Sequence, residues 1–128
     1  MKYLLDTGVV AAAVRGRLPV VLKLSQLKPG DVAMSAVTRM QAEVALRTKS
    51  RSARLLREWV GAVRTLDFGV REAQQAGAIA ALAQAGGEKL SGFDLLVAAT
   101  ALAHQLTLVT ERVEAFAGVP NLEVENWK

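Results

Sequence analysis

The sequence predicts an α/β/α domain, a short parallel sheet with helices on both faces. Three observations carry that expectation. Short apolar runs recur along the chain at Tyr3–Leu5, Asp31–Met34, Arg64–Phe68, Thr107–Thr110 and Leu122–Val124. The stretches between them carry apolar residues at helical spacing, and strands separated by helices pair in parallel. The chain is 52% hydrophobic but only 5% aromatic, so its core is expected to be Leu, Val and Ala, which suits helices laid on a sheet. At 128 residues it reads as one domain, residues 1–128, long enough to bury a core.

The elements follow in order. Tyr3–Leu5 reads as a buried strand, and Thr7-Gly8 turns the chain into a helical stretch from Val9 to Val14. Pro19 sits in the first turn of a second helix carrying Val20, Val21, Leu24 and Leu27, which Lys28-Pro29-Gly30 closes. After the second strand, Ser35 or Thr38 can cap a helix carrying Met40, Val44 and Arg47. A polar, basic break over Thr48–Ser52 precedes a helix with Leu55, Leu56, Trp59, Val60 and Val63. Beyond the third strand, the alanine-rich stretch Val70–Ala85 is helical and is stopped by Gly86-Gly87. A loop from Glu88 to Gly92 leads to an apolar helix over Phe93–Ala103. Thr107–Thr110 is the clearest strand, and a helical turn through Phe116 leads to a last edge strand at Leu122–Val124.

Composition removes several chemistries. There is no cysteine, hence no disulfide, thiolate zinc site or cysteine nucleophile. The single histidine, His104, cannot supply a paired acid and base, and its expected role is at a helix end. Any reaction must rest on carboxylates, hydroxyls and a metal. The apolar run after Met1 is too short for a signal peptide and no segment approaches a membrane span, so a cytoplasmic protein is expected. The net charge of +4 favours a polyanionic partner, and Lys28, Arg39, Arg47, Lys49, Arg51, Arg54 and Arg57 make the central third basic. That stretch reads equally as a solvated helical face.

Ligands of such sheets bind at the carboxyl ends of the strands. Asp6, Gly8, Thr110 and Glu111 fall at that edge, Ser35 brings the following helix and Gln41 near it, and Asp94 lies in the first turn of its helix. Each alone has a structural explanation, as a cap or a strand terminator. Together they place hard oxygen donors where Mg²⁺ or Mn²⁺ could be held.

At these residues the chain resembles the PIN-domain family. Leu4-Leu5-Asp6-Thr7, Ser35-Ala36-Val37-Thr38, Gly92-Phe93-Asp94-Leu95-Leu96-Val97-Ala98-Ala99, Leu108-Val109-Thr110 and Leu122-Glu123-Val124-Glu125-Asn126-Trp127 stand in the order and spacing of VapC-type toxins. The resemblance spans essentially the whole chain. It implies a three-layer PIN-like fold and an endoribonuclease activity that depends on Mg²⁺ or Mn²⁺. It also implies a cognate antitoxin that occupies the site, an RNA substrate and a homodimer. Carried over by position, Asp6 and Asp94 match metal-binding acids, and Thr7, Thr110 and Arg112 are candidate substrate contacts.

Three positions depart from the family pattern. Gly8 stands where an Asn is usual, Gln41 where a Glu is usual, and Arg112 where an Asn or Asp is usual. Glu111 could supply a carboxylate if the loop path shifts; Glu43 is about 200° of helical rotation from Gln41 and should point away. Glu114 reads as a solvent-facing residue. Gln41 keeps the shape of a glutamate without its charge; Arg112 would place a positive charge at the metal position if it points inward, and could alternatively turn outward or grip an RNA phosphate. Two readings result: a metal-dependent ribonuclease weakened at Gln41, Gly8 and Arg112, or an inactive PIN-like module that binds antitoxin or RNA without turnover. A different phosphate-handling α/β domain is disfavoured, because no glycine-rich phosphate loop or nucleophile elbow is present. The apolar positions Val10, Val14, Val20, Val21, Leu24 and Leu27 could dock a partner helix, although the inner face of helices covering a sheet would look the same.

Overall fold

The computed structural model describes residues 1–86 and 90–128. Among these residues five strands form one sheet: β1 (Tyr3–Leu5), β2 (Val32–Ser35), β3 (Arg64–Leu66), β4 (Thr107–Val109) and β5 (Val124–Glu125), in the spatial order β3-β2-β1-β4-β5. Every neighbouring pair is parallel. Among the described residues six α-helices lie between β1 and β4: α1 (Thr7–Val14), α2 (Leu18–Ser25), α3 (Ala36–Ala45), α4 (Arg51–Ala62), α5 (Val70–Ala85) and α6 (Gly92–Ala103); a 3-10 turn over Val113–Phe116 leads on to β5.

The period of two along a strand divides the core. Leu4, Ala33 and Leu108 point to one face, where they pack with Ala76, Ile79, Val97, Ala98 and Ala101 from α5 and α6. Leu5, Val32, Met34 and Val109 point to the other, against Val9, Val10, Val20, Leu56 and Val60 from α1, α2 and α4. Helix α3 serves both layers, with Val37 in the first cluster and Ala42 in the second. The three-layer architecture is therefore as the sequence predicts. The small side chains of α5 and α6 let these two helices lie close together, and a polar contact between half-buried His104 and buried Glu72 closes one end, with His104 Nε2 3.2 Å from Glu72 Oε2. His104 is the C-cap of α6, in keeping with its expected place at a helix end.

The differences lie at element ends. The second strand begins at Val32, because Asp31 finishes a 3-10 turn over Pro29–Asp31 in which its carboxylate accepts from the Lys28 N–H (3.0 Å). Asp67, Phe68, Thr110, Leu122 and Glu123 lie outside the strands, and Gly92 belongs to α6. Gly86 caps α5 as expected, while Gly87 and Glu88 lie outside the described residues. The apolar stripe of α1 and α2 is mostly an inner face: Val10 and Val20 are buried, and Val14, Leu24 and Leu27 pack against the same cluster. Only Val21 of the six is exposed, beside Leu18 and Leu22. Near the C-terminus Trp127 is buried, its ring 5.1 Å from that of Tyr3 in an edge-on contact, which fastens the last residues to β1. No described helix is long and apolar enough to cross a membrane.

Candidate functional site

The carboxyl end of the sheet gathers the acids. Asp6 follows β1, and its N–H extends the ladder by donating to Val109 O (2.9 Å). Its Oδ1 accepts from the Thr7 N–H (2.8 Å), which makes it the N-cap of α1. Its Oδ2 accepts from the Thr110 hydroxyl (2.8 Å) at the end of β4. Ser35 ends β2 and caps α3 by accepting from the Thr38 N–H (3.1 Å), so Ser35 rather than Thr38 is the cap. This start sets the register of α3 and turns Gln41 toward Thr7, whose hydroxyl donates to Gln41 Oε1. Ser91 caps α6 by accepting from the Asp94 N–H (3.2 Å), which fixes Asp94 in the first turn with its carboxylate at the positive end of the helix.

Arg112 joins the two acids. Its Nη1 donates to Asp94 Oδ2 (3.0 Å), and its Nη2 donates to Asp94 Oδ1 (2.7 Å) and Asp6 Oδ2 (3.2 Å). This is a bidentate fork on one carboxylate with a shared edge on the other. The guanidinium holds the Asp94 carboxyl below its ordinary range, against burial, which raises it, and with help from Ser91. Reciprocally, Asp94 and then Asp6 hold the Arg112 guanidinium in its protonated form more firmly still. The loop is braced as well: the Arg112 N–H donates to the Thr110 hydroxyl (3.1 Å), and the guanidinium carbon lies 5.8 Å from the centre of the Phe116 ring.

A cleft of about 290 Å³ opens over these residues, walled by Asp6, Thr7, Gly8, Gln41, Phe93, Asp94 and Arg112. Next to it lies an apolar groove of about 270 Å³ between α1, α3 and α4, lined by Val10, Ala11, Val14, Ala42, Ala45 and Leu56 among others. Thr7 and Gln41 line both.

A hard dication needs several oxygen ligands carrying net negative charge. Among the described residues no three Asp, Glu or His side chains come together to provide them. Both oxygens of Asp94 and Oδ2 of Asp6 already accept from Arg112. Two like unit charges 4 Å apart repel by roughly 4 kcal/mol at an effective dielectric of 20, and a dication roughly doubles that figure. In this arrangement the residues do not fit Mg²⁺ or Mn²⁺ unless the guanidinium first leaves.

The remaining sequence candidates fall on either side of the centre. Thr7, Gln41, Asp6, Asp94 and Arg112 all meet at the cleft. Thr110 is fully buried and its hydroxyl is engaged by Asp6 and Arg112, so it positions the acid and the loop rather than reaching a substrate. Glu111 turns to Arg17, 3.3 Å away, and is not among the cleft residues. Glu43 pairs with Arg39 on the outer side of α3, and Glu114 is exposed. At Gly8 a Cβ would meet nothing within 4 Å, so space for a longer side chain remains. Ser91 and Phe93 are site residues the sequence reading passed over; the spacing Ser91-x-x-Asp94 was the available sign of the cap. The basic residues Arg47, Lys49, Arg51, Arg54 and Arg57 are all exposed.

This geometry defines an α/β domain with a carboxylate-bearing cleft at the carboxyl edge of a parallel sheet, and comparison with protein families matches residues 3–116 to the PIN domain. The chain belongs to the PIN-domain family. It is 26% identical to the tRNA(fMet)-specific endonuclease VapC of Shigella flexneri and 25% identical to ribonuclease VapC2 of Rickettsia felis, each alignment covering 99% of this chain and 98% of the relative. Among solved structures it superposes on VapBC2 from Rickettsia felis bound to a promoter DNA fragment with a TM-score of 0.89 at 24% identity, over 100% of both chains. FitAcB from Neisseria gonorrhoeae gives a TM-score of 0.81 at 29% identity, over 98% of this chain and 97% of that one.

Proposed function

We propose that this chain is the toxin-type member of a toxin–antitoxin pair, one that binds an antitoxin segment and RNA at the carboxylate cleft while Arg112 holds hydrolysis off. The observation that carries the reading is the Arg112 guanidinium spanning Asp94 and Asp6 at 2.7–3.2 Å on a chain aligned end to end with VapC ribonucleases. The apolar groove between α1, α3 and α4 suits an amphipathic antitoxin helix, and its shared wall at Thr7 and Gln41 would let such a helix reach the cleft. The exposed arginines of α4 support contact with an RNA backbone, which carries no sequence preference of its own.

A second reading has its own support. Asp6 and Asp94 keep their places, and the Arg112 side chain is 56% exposed, so it has a path out of the gap. With Arg112 withdrawn the chain would be a metal-dependent endoribonuclease using Mg²⁺ or Mn²⁺. Purified protein incubated with labelled RNA separates the two. The first reading expects RNA binding in EDTA that weakens steeply with salt, and no cleavage on adding Mg²⁺. Mg²⁺-stimulated cleavage that disappears in Asp6→Asn would establish the second. A homodimer is part of both readings, and sedimentation of the purified chain tests it.

A further inference from the structure

We propose that Arg112 is a built-in cation: its guanidinium replaces the divalent ion as the group that balances Asp6 and Asp94, and it keeps this centre closed to metal. The inference deepens the reading above and rests on the same cleft, but it concerns which cation the acids hold rather than which macromolecule binds.

The seat of Arg112 is specific. Three hydrogen bonds reach two carboxylates that are themselves almost fully buried, and these acids come from distant parts of the chain, the end of β1 and the start of α6. A water-exposed arginine near a single acid would have neither feature. The backbone is also tied in place, because Thr110 both donates to Asp6 and accepts from the Arg112 N–H. Phe116, only 1% exposed, supplies a ring beneath the guanidinium. Fork, loop and ring converge on one position, between the acids.

The neighbours are consistent with a monovalent centre. Gln41 accepts from the Thr7 hydroxyl and brings no charge, so it does not oppose the arginine and does not call for a second cation. Glu111, adjacent in sequence, is paired with Arg17. A guanidinium satisfies this donor set through directed N–H bonds, whereas Mg²⁺ or Mn²⁺ would need octahedral oxygen donors that are already engaged.

The roles of Gln41 and Arg112 are therefore unequal. Restoring charge at Gln41 alone should not open the centre, because the guanidinium would still engage both oxygens of Asp94 and Oδ2 of Asp6. Removing the guanidinium should. The test is Mn²⁺ binding to the full chain by calorimetry, with circular dichroism to check the fold. Unaltered protein and Gln41→Glu are expected to show no binding at millimolar Mn²⁺. Arg112→Asn should gain roughly 10–100-fold in affinity over them, and the double variant more again. Because two buried acids lose their partner in Arg112→Asn, melting of the unaltered protein provides a second measurement that needs no variant. Its Tm should be the same in EDTA and in millimolar Mn²⁺.

A Tm raised by Mn²⁺ in the unaltered chain would overturn the proposal. So would folded Arg112→Asn and double variants that still bind no Mn²⁺, or Gln41→Glu binding as tightly as the double variant. RNA binding is read separately in EDTA. Its absence would refute the RNA reading and leave the metal result standing.

Discussion

On one side of Asp6, Oδ2 faces an ionic group made by Asp94 and Arg112; on the other, Oδ1 takes the Thr7 N–H, and Thr7 leads into a neutral network with Gln41, Thr38 and Ser35. The ionic half joins residues from opposite ends of the chain, and the charge of Asp94 is maintained by the arginine. The neutral half is built between the starts of two helices, α1 and α3, and every partner in it is a hydroxyl, an amide or a backbone group. A charge lost at Gln41 and a charge gained at Arg112 shift the field in the same direction. Only the gain also fills the space between the acids. The half that carries charge therefore governs what the cleft can hold, and the neutral half governs its shape.

Arg112→Ala should break this comparison most severely. Removing one partner of a buried ion pair costs about 3–5 kcal/mol, whereas an exposed pair is worth about 0–1 kcal/mol. With acids nearly buried and a guanidinium side chain 56% exposed, an intermediate loss of about 2 kcal/mol near neutral pH is expected in urea denaturation. The pH dependence follows from Asp94, whose folded pKa is depressed. The stability it contributes is complete above its ordinary value of 3.8 and is lost as pH falls through the lower folded value. The gap between unaltered and Arg112→Ala protein should therefore close below about pH 4. A gap that persisted unchanged in acid would mean the arginine stabilises by packing on Phe116 instead.

Gln41→Ala probes the other half and should cost about 1 kcal/mol, the usual worth of a neutral hydrogen bond. Its effect should be flat across the same pH range, since no partner titrates there. A pH-dependent Gln41→Ala penalty would mean the two halves are coupled through Asp6.

How much of this centre was legible in the sequence divides along the same line. Strand ends and caps are local, so Asp6 at the edge of β1, Ser35 before α3 and Asp94 in the first turn of α6 could be placed from neighbouring residues. The alternation of short apolar runs with helical stretches likewise foretold a sheet covered on both faces, as Leu4 and Leu5 show by packing into opposite layers. Side-chain direction in a loop is not local. Whether Arg112 turned inward, outward or toward an RNA phosphate depended on Thr110, Phe116 and Asp94 meeting in space. Glu111 shows the same limit, since its partner Arg17 lies between α1 and α2. Glu72 was overlooked because a glutamate on an alanine-rich helix reads as solvated. It is buried, accepts from the Gly69 N–H (2.8 Å) and faces His104, and that backbone hydrogen bond above all keeps its carboxyl below the ordinary range.

The smallest expected effect sharpens the comparison from outside it. Glu43 is the acid nearest in sequence to Gln41 that could stand in for the missing glutamate, and helical geometry turns it about 200° away. In the structure it forms an i,i+4 pair with Arg39 at 2.6 Å, with the two side chains 47% and 39% exposed, and Arg39 also reaches Thr65 in β3 (3.3 Å). Water competes for both partners, so Glu43→Gln should cost only about 0.3–0.5 kcal/mol, and less in high salt. It should leave the Mn²⁺ affinity of Arg112→Asn unchanged. A marked fall in that affinity would mean that α3 can rotate Glu43 into the cleft once the guanidinium is gone. The Ser35 cap, which fixes the register of α3 through the Thr38 N–H, argues against such a rotation: turning the helix by half a revolution would abandon that bond and withdraw Val37 and Ala42 from the two core clusters they join.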